Sequence, residues 1–345
     1  MYKQLARPLL FLFDPEKVHR FAAASLKILF SIPVVGTLVK NYATVSNKKL
    51  ERSLFGLTFP NPVGIAAGFD KNAEMFEELG KLGFGFVEIG TVTPKAQPGN
   101  EKPRLFRLTK DQALINRMGF NNHGLEAAVA KLKKRKTDVI VGGNLGKNSA
   151  TPNSAAVDDY VKLFEGLFDH VDYFTVNVSC PNISDLRALQ DQDALLEILN
   201  ALQAVNRKKP HPKPILLKVS PDLNRKQLDE VIDIVNQTGI NGVVAVNTTI
   251  AREPLVTDRD KVKTIGKGGL SGKPIKDKST EIIRYLAEKS GKTFPIIGVG
   301  GIFSPEDALE KLKAGADLVQ VFTGFVYEGP LLARKINKRL LKLKH

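Results

Sequence analysis

Eight short apolar runs, each followed by a stretch with helical spacing, constrain this 345-residue chain more than any other feature. The runs are PVGIAA (62–67), FGFVEIG (84–90), VIVGGNLG (139–146), VDYFTVNVS (171–179), PILLKVS (214–220), INGVVAVNT (240–248), PIIGVGG (295–301) and DLVQVFTG (317–324). Their β-branched residues are continuous rather than alternating with polar ones, which suits strands covered on both faces of a parallel sheet. Between the runs, apolar residues recur on one helical face, as at Ala194, Leu195, Ile198, Leu199, Leu202 and Val205, or at Leu228, Val231, Ile232 and Val235. Eight strand-then-helix units predict an α/β fold of the TIM (β/α)8 barrel type. A doubly wound sheet also alternates but needs fewer strands, and its GxGxxG fingerprint is missing.

Two segments fall outside the repeat. Residues 1–50 precede the first barrel strand and read as a small helical module, leaving 51–345 as the barrel domain. Within the module, Leu5, Leu9, Leu10, Leu12 and Phe13 and then Phe21, Leu26, Ile28, Leu29 and Phe30 predict two short helices joined at Asp14-Pro15, with Asp14 capping the second. Such an apolar hairpin packs on the barrel or lies in a bilayer interface. The apolar stretch Ile28–Val39 is broken by Ser31, Pro33 and Gly36, and is too short to span a bilayer, which takes roughly 20 residues. No cleavable signal peptide is expected, because the first apolar run ends at Asp14-Pro15-Glu16 without a small-residue cleavage site. The second segment, residues 91–120, is a long insertion after the second strand, with a hairpin expected around RLFRL (104–108).

Charge and cysteine usage narrow the function classes. A formal net charge of +15 favours anionic partners. Much of it lies in runs such as Lys131, Lys133, Lys134, Arg135 and Lys136, which also read as solvated helix faces. No nucleic-acid motif accompanies them, so no nucleic-acid partner is expected. A single cysteine, Cys180, excludes an internal disulfide framework and fits a reducing compartment. Five scattered histidines form no ligand cluster, so no metal is expected.

The polar residues then locate a site. Lys71, Thr91, Asn144, Asn177, Lys218, Asn247, Gly301 and Thr323 each fall at or just past the C-terminal end of a predicted strand. In a barrel those ends meet at one mouth, where active sites are built. Strand seven ends in Gly298-Val299-Gly300-Gly301 and strand eight in Phe322-Thr323-Gly324. Those two loops are the usual phosphate seat of this barrel, and their glycines let backbone N–H groups approach phosphate oxygens. Lys218 points into the mouth, where a lysine can hold negative charge on a reduced flavin ring. AAGFDK (66–71) allows close backbone approach to a flat ring. None of these features by itself identifies FMN.

The chain resembles the dihydroorotate dehydrogenase family, class 2, the membrane-associated quinone-dependent branch. The motifs that carry the resemblance run nearly end to end: FDPEKVHRFA (13–22), GIAAGFDKNAE (64–74), EIGTVTPKAQPGNEKPRLFRL (88–108), INRMGFNNHG (115–124), GGLSGKPIKDKSTEIIRYL (268–286) and IIGVGGI (296–302). The resemblance implies an FMN enzyme that oxidises dihydroorotate to orotate in pyrimidine synthesis. By matching motifs it implies FMN contacts from Ala67, Gly68, Phe69, Asp70, Lys71, Thr91, Asn144, Asn177, Lys218, Val246, Gly272, Gly301, Phe322 and Thr323. Substrate contacts are implied for Lys71, Asn116, Arg117, Met118, Gly119, Phe120, Asn177, Asn182, Asn247 and Thr248. These residue types suit a small ring bearing amides and one carboxylate: asparagines offer donors and acceptors, and Lys71 offers positive charge.

One position departs from the branch. Class 2 members normally carry serine as the base within N-[VI]-S-x-P-N, and this chain has Cys180, as class 1 members resemble. The usual P-N-T-x-G-L-R reads Pro181-Asn182-Ile183-Ser184-Asp185-Leu186-Arg187 here, so the relay threonine is replaced by Ile183. A thiol with an ordinary pKa of about 8.5 is more readily ionised than a hydroxyl and needs less of a relay. The expectation is that Cys180 removes the C5 proton while hydride passes from C6 to the flavin.

The resemblance also implies a membrane quinone as acceptor, reached through a tunnel beneath the N-terminal hairpin near Arg107 and Phe322, where many relatives carry tyrosine. A peripheral place on the cytoplasmic face of the cell membrane and a monomeric state are expected. The alternatives are a class 1-like enzyme with a soluble acceptor, a tRNA-dihydrouridine synthase, which should carry a helical RNA-binding domain after the barrel, and a non-catalytic phosphate-binding barrel.

Overall fold

A computed structural model describes residues 2–178 and 192–343. Cys180, Asn182 and Ile183 lie outside the described residues. The eight apolar runs form eight strands: β1 (Val63–Asp70), β2 (Phe86–Val92), β3 (Ile140–Leu145), β4 (Tyr173–Val176), β5 (Ile215–Val219), β6 (Gly242–Ala245), β7 (Ile296–Val299) and β8 (Leu318–Val321). Each pairs in parallel with the next, and β8 pairs with β1, with Val319 opposite Val63, to close the ring. The fold is the expected TIM barrel.

Nearly every strand residue is buried because helices cover the outer face and side chains fill the inner one. At the N-terminal ends of the strands the interior is apolar. Phe86, Ile140, Tyr173, Leu216, Val244, Ile297 and Leu318 cluster there with Phe59. Phe59 arrives on a small antiparallel hairpin, Arg52–Leu54 with Leu57–Phe59, that the eightfold pattern does not reveal. Its ring meets that of Phe86 edge-on at 5.3 Å.

The insertion after β2 forms the expected hairpin, Leu105–Leu108 against Ala113–Asn116. A third strand, Gly269–Gly272, joins it from beyond β6. This small sheet leads into the turn 116–120 and ties its first residue, Asn116, to Gly269.

In the N-terminal module the expected break at Asp14-Pro15 is present. The Asp14 carboxylate accepts from the Lys17 N–H at 2.9 Å and opens helix α1 (Pro15–Ser31). The module differs from the expected pair of helices by a second break and a further helix, α2 (Pro33–Ala43). Ile32 is extended before Pro33, whose ring and missing N–H prevent continuation, and the two helices bend by 109°. No single helix among the described residues is long and apolar enough to cross a membrane, although the bent pair together meets that test. Leu5, Leu9, Leu12, Phe13, Phe21, Ile28, Ile32, Val34 and Leu38 are all exposed on this module.

The insertion grips the module. Arg104 makes a two-pronged ion pair with Glu16, both N···O distances being 3.1 Å, and also donates to the Pro98 (2.6 Å) and Asn100 (2.8 Å) carbonyls. Arg107 donates to the Phe13 carbonyl at 2.7 Å and lies over the Phe11 ring. Removing one partner of a buried ion pair costs about 3–5 kcal/mol, and the lower end applies here because Glu16 keeps some solvent contact. Arg104→Leu is therefore expected to speed proteolytic cleavage within residues 14–50 several-fold while leaving the main melting transition of the barrel in place. Unchanged cleavage would mean that the ion pair does not hold the helix.

Candidate active site

The strand ends converge as the barrel dictates, and their side chains form one connected polar network. Thr91 Oγ1, ending β2, donates to Asn144 Oδ1 on β3 at 2.6 Å. Asn177, just past β4, donates through Nδ2 to Thr91 Oγ1 (3.1 Å) and Asn144 Oδ1 (3.2 Å). Asn247, past β6, donates to Asn177 Oδ1 at 3.2 Å. Asn144 Nδ2 in turn donates to Glu88 Oε1 at 2.8 Å. Lys218 on β5 is almost fully buried, with Nζ 3.9 Å from the same carboxylate oxygen. A buried lysine beside a buried carboxylate meets the requirement that enclosed charge be paired.

At the start of the helix Thr323–Glu328, Gly272 lies against Thr323, and Gly324 lies against the carbonyl of Ile302, the residue after Gly301. Thr323 Oγ1 lies 2.8 Å from Ser271 Oγ, which brings the 269–272 strand to the end of β8. Gly301 has φ +70°, and a Cβ there would come within 2.5 Å of Lys276 Cα. Among the described residues the Gly301 N–H meets no protein acceptor, and the first N–H groups of the Thr323–Glu328 helix have none within the helix. This glycine-lined cradle of free backbone donors fits the phosphate of FMN. The polar floor of Thr91, Asn144, Asn177 and Lys218 fits a ring with carbonyl and imide groups.

The AAGFDK segment divides its labour. Ala67 and Gly68 bring backbone to the mouth, and Lys71 Nζ donates to the Gly68 carbonyl at 2.8 Å. The side chains of Phe69 and Asp70 have protein partners. Phe69 packs edge-on against Phe322 (5.6 Å) and Phe325 (5.2 Å). Asp70 accepts from the Glu74 and Met75 N–H groups, both at 2.7 Å, and burial raises its pKa to about 6. Both shape the turn that presents Lys71.

In the turn 116–120, Asn116 donates to the Gly269 carbonyl at 3.3 Å. The Arg117 guanidinium is committed to the carbonyls of Pro103 (2.9 Å) and Ile265 (3.1 Å) and lies over the Phe106 ring. Its side chain therefore braces the insertion. Phe120 is buried with φ +52° against Gly146. Val246 is buried past β6, and the Thr248 N–H donates to the Asn247 side chain at 2.8 Å.

Three residues escaped sequence reasoning. Glu88 sits inside an apolar run and gives no sign of facing inward. Asn122 bonds to Thr93 (2.7 Å), the Phe120 carbonyl (2.7 Å) and the Gly124 N–H (2.8 Å), fixing the end of the turn. His19, on α1, meets the Phe69 ring edge-on at 4.9 Å. Burial, then the nearby Lys71 charge, lowers its pKa to about 4, so it is neutral at physiological pH. A histidine in the FDPEKVHRFA motif was the one available signal.

The geometry has counterparts among known proteins. The family model described as dihydroorotate dehydrogenase matches residues 49–343. Dihydroorotate dehydrogenase (quinone) of Christiangramia forsetii is 57% identical over 342 residues, covering 99% of each chain. The protein of the same name from Gloeobacter violaceus is 49% identical over 333 residues, covering 96% of this chain and 92% of its own. Among solved structures, Eimeria tenella DHODH in complex with ferulenol superposes with a TM-score of 0.82 at 35% identity, over 95% of this chain and 91% of that one.

Proposed function

The chain belongs to the dihydroorotate dehydrogenase family, and we propose that its barrel mouth holds FMN over the Thr91–Asn144–Asn177–Lys218 floor, with the phosphate between Gly301 and Thr323. It is a flavin oxidoreductase that converts dihydroorotate to orotate in pyrimidine biosynthesis, with a quinone as electron acceptor. FMN, when bound, supplies the hydride acceptor. The protein's own groups do the rest. Lys71 offers a positive charge to the substrate carboxylate. Asn116, Asn177, Asn182 and Asn247, with Thr248, offer donors and acceptors to the amide edges of the ring. Cys180 takes the proton from C5.

The observation that carries this reading is the single hydrogen-bonded network linking four strand ends beside a glycine-lined phosphate cradle. Two lysines serve it from different places: Lys218 beside the network is assigned to the ring, and Lys71, held by the Gly68 carbonyl, to the anionic substrate. The exposed apolar surface of α1 and α2 supports a peripheral seat in the membrane interface, with the acceptor entering past His19, Arg107 and Phe322.

The absorption spectrum tests the assignment. Purified protein is expected to be yellow and to bleach on anaerobic addition of dihydroorotate. A colourless protein that binds no added FMN would overturn it. For the acceptor, turnover with a ubiquinone analogue or menaquinone is expected to exceed that with fumarate or NAD; the reverse order favours a soluble-acceptor enzyme, as Cys180 alone would suggest.

A further inference from the structure

Glu88 lies on β2, fully buried at the barrel axis, and five side chains on four other strands converge on it. Its Oε1 accepts from Asn144 at 2.8 Å on β3 and lies 3.9 Å from Lys218 Nζ on β5. Its Oε2 accepts from Gln320 at 2.9 Å on β8, and from Thr175 at 3.1 Å and Tyr173 at 3.3 Å on β4. Beside it, Gly142 leaves the space that the Tyr173 ring fills. The Tyr173 phenol is pushed well above its ordinary pKa by burial and by Glu88, so it stays protonated and donates. Donors thus surround both oxygens of the buried carboxylate.

Fold stability does not call for such an arrangement, since a buried ion pair is often no better than packed apolar groups of the same volume. Its two partners on the mouth side, Asn144 and Lys218, are the groups assigned to the flavin ring. We propose that Glu88 is a positioning residue that sets the reduction potential of the flavin: it fixes Asn144 and Lys218 in place and offsets part of the lysine's positive charge. The inference rests on FMN occupying the mouth as described above. Reduction adds negative charge to the ring, which Lys218 favours and Glu88 opposes. Donors to Oε2 moderate that opposition by spreading the carboxylate's charge away from the mouth.

The test is a spectroelectrochemical titration of the full-length, FMN-loaded protein. Glu88→Gln removes the opposing charge at nearly constant volume. The ratio of reduced to oxidised flavin at a fixed potential is expected to rise about tenfold, equivalent to about 30 mV for a two-electron couple. Thr175→Val removes one donor and keeps the branched shape of the side chain, so the ratio is expected to fall several-fold. Opposite signs from two conservative changes distinguish an electrostatic role from slack packing, which would shift both the same way. A yellow Glu88→Gln protein with wild-type potential overturns the proposal. If Glu88→Gln does not retain FMN, Thr175→Val decides: an unchanged or raised ratio overturns it. A wild-type protein that binds no flavin would instead sink the cofactor assignment.

Discussion

Replacing Cys180 by alanine is expected to slow flavin reduction by dihydroorotate by about 10²–10⁴-fold while leaving FMN content unchanged. That range is the usual contribution of a positioned general base. The substitution removes the only cysteine in the chain and adds no charge or bulk. Stopped-flow absorbance at the flavin band measures the step directly, apart from quinone turnover. A rate near wild type in a fully loaded protein would refute the assignment of the base. Cys180→Ser carries a second expectation. A hydroxyl ionises far less readily than a thiol, and Ile183, three residues on, has no hydroxyl to relay its proton. The serine protein should therefore be slow and should require higher pH, whereas the native rate should rise with thiol ionisation from an ordinary value of about 8.5. Superimposable pH profiles would count against the thiol.

The other large effect belongs to the phosphate cradle. Gly301→Ala places a side chain at φ +70°, where L-residues other than asparagine or aspartate lose about 1–2 kcal/mol, and drives its Cβ to within 2.5 Å of Lys276 Cα. The loop must move, and the backbone donors move with it. FMN affinity is expected to fall at least about 100-fold, or some 2.7 kcal/mol, giving a pale protein on purification. Gly291 supplies the control. It also has positive φ, +59°, but a Cβ there meets nothing within 4 Å. Gly291→Ala should cost backbone strain alone and leave the flavin in place. Equal FMN content in both variants would remove Gly301 from the phosphate site.

The parts of this molecule that repeat were readable without coordinates. Continuous β-branched runs located all eight barrel strands, because a strand covered on both faces has little choice of composition. Strand-end residues such as Asn144, Asn177 and Lys218 could be placed at the mouth because barrel topology alone puts them there. Elements set by tertiary pairing were not readable. Arg52–Leu54 and Leu57–Phe59 are too short to show a period, and Gly269–Gly272 becomes a strand only by joining Ala113–Asn116. Glu88 was hidden for a related reason: whether a strand residue faces the axis depends on the stagger of the closed sheet, not on its neighbours in sequence. Phe69 and Asp70 show what a motif leaves open: the Phe69 side chain joins an aromatic cluster and the Asp70 carboxylate caps the following turn, so the FMN contacts expected of them are proposed for the backbone.

The planar group of Arg104 has consequences for inhibitor pharmacology. On one side it grips Glu16 of helix α1, whose outer face is apolar and exposed; on the other it holds the Pro98 and Asn100 carbonyls. Asn100 in turn bonds to the Arg117 and Met118 carbonyls of the turn 116–120, the segment proposed to meet the substrate. A compound that wedges α1 outward pulls on that same clasp, so acceptor-pocket drugs and orotate are expected to alter each other's dissociation constants by one shared factor. Paired titrations in native protein and in Arg104→Leu measure it, and the factor should collapse toward unity in the variant.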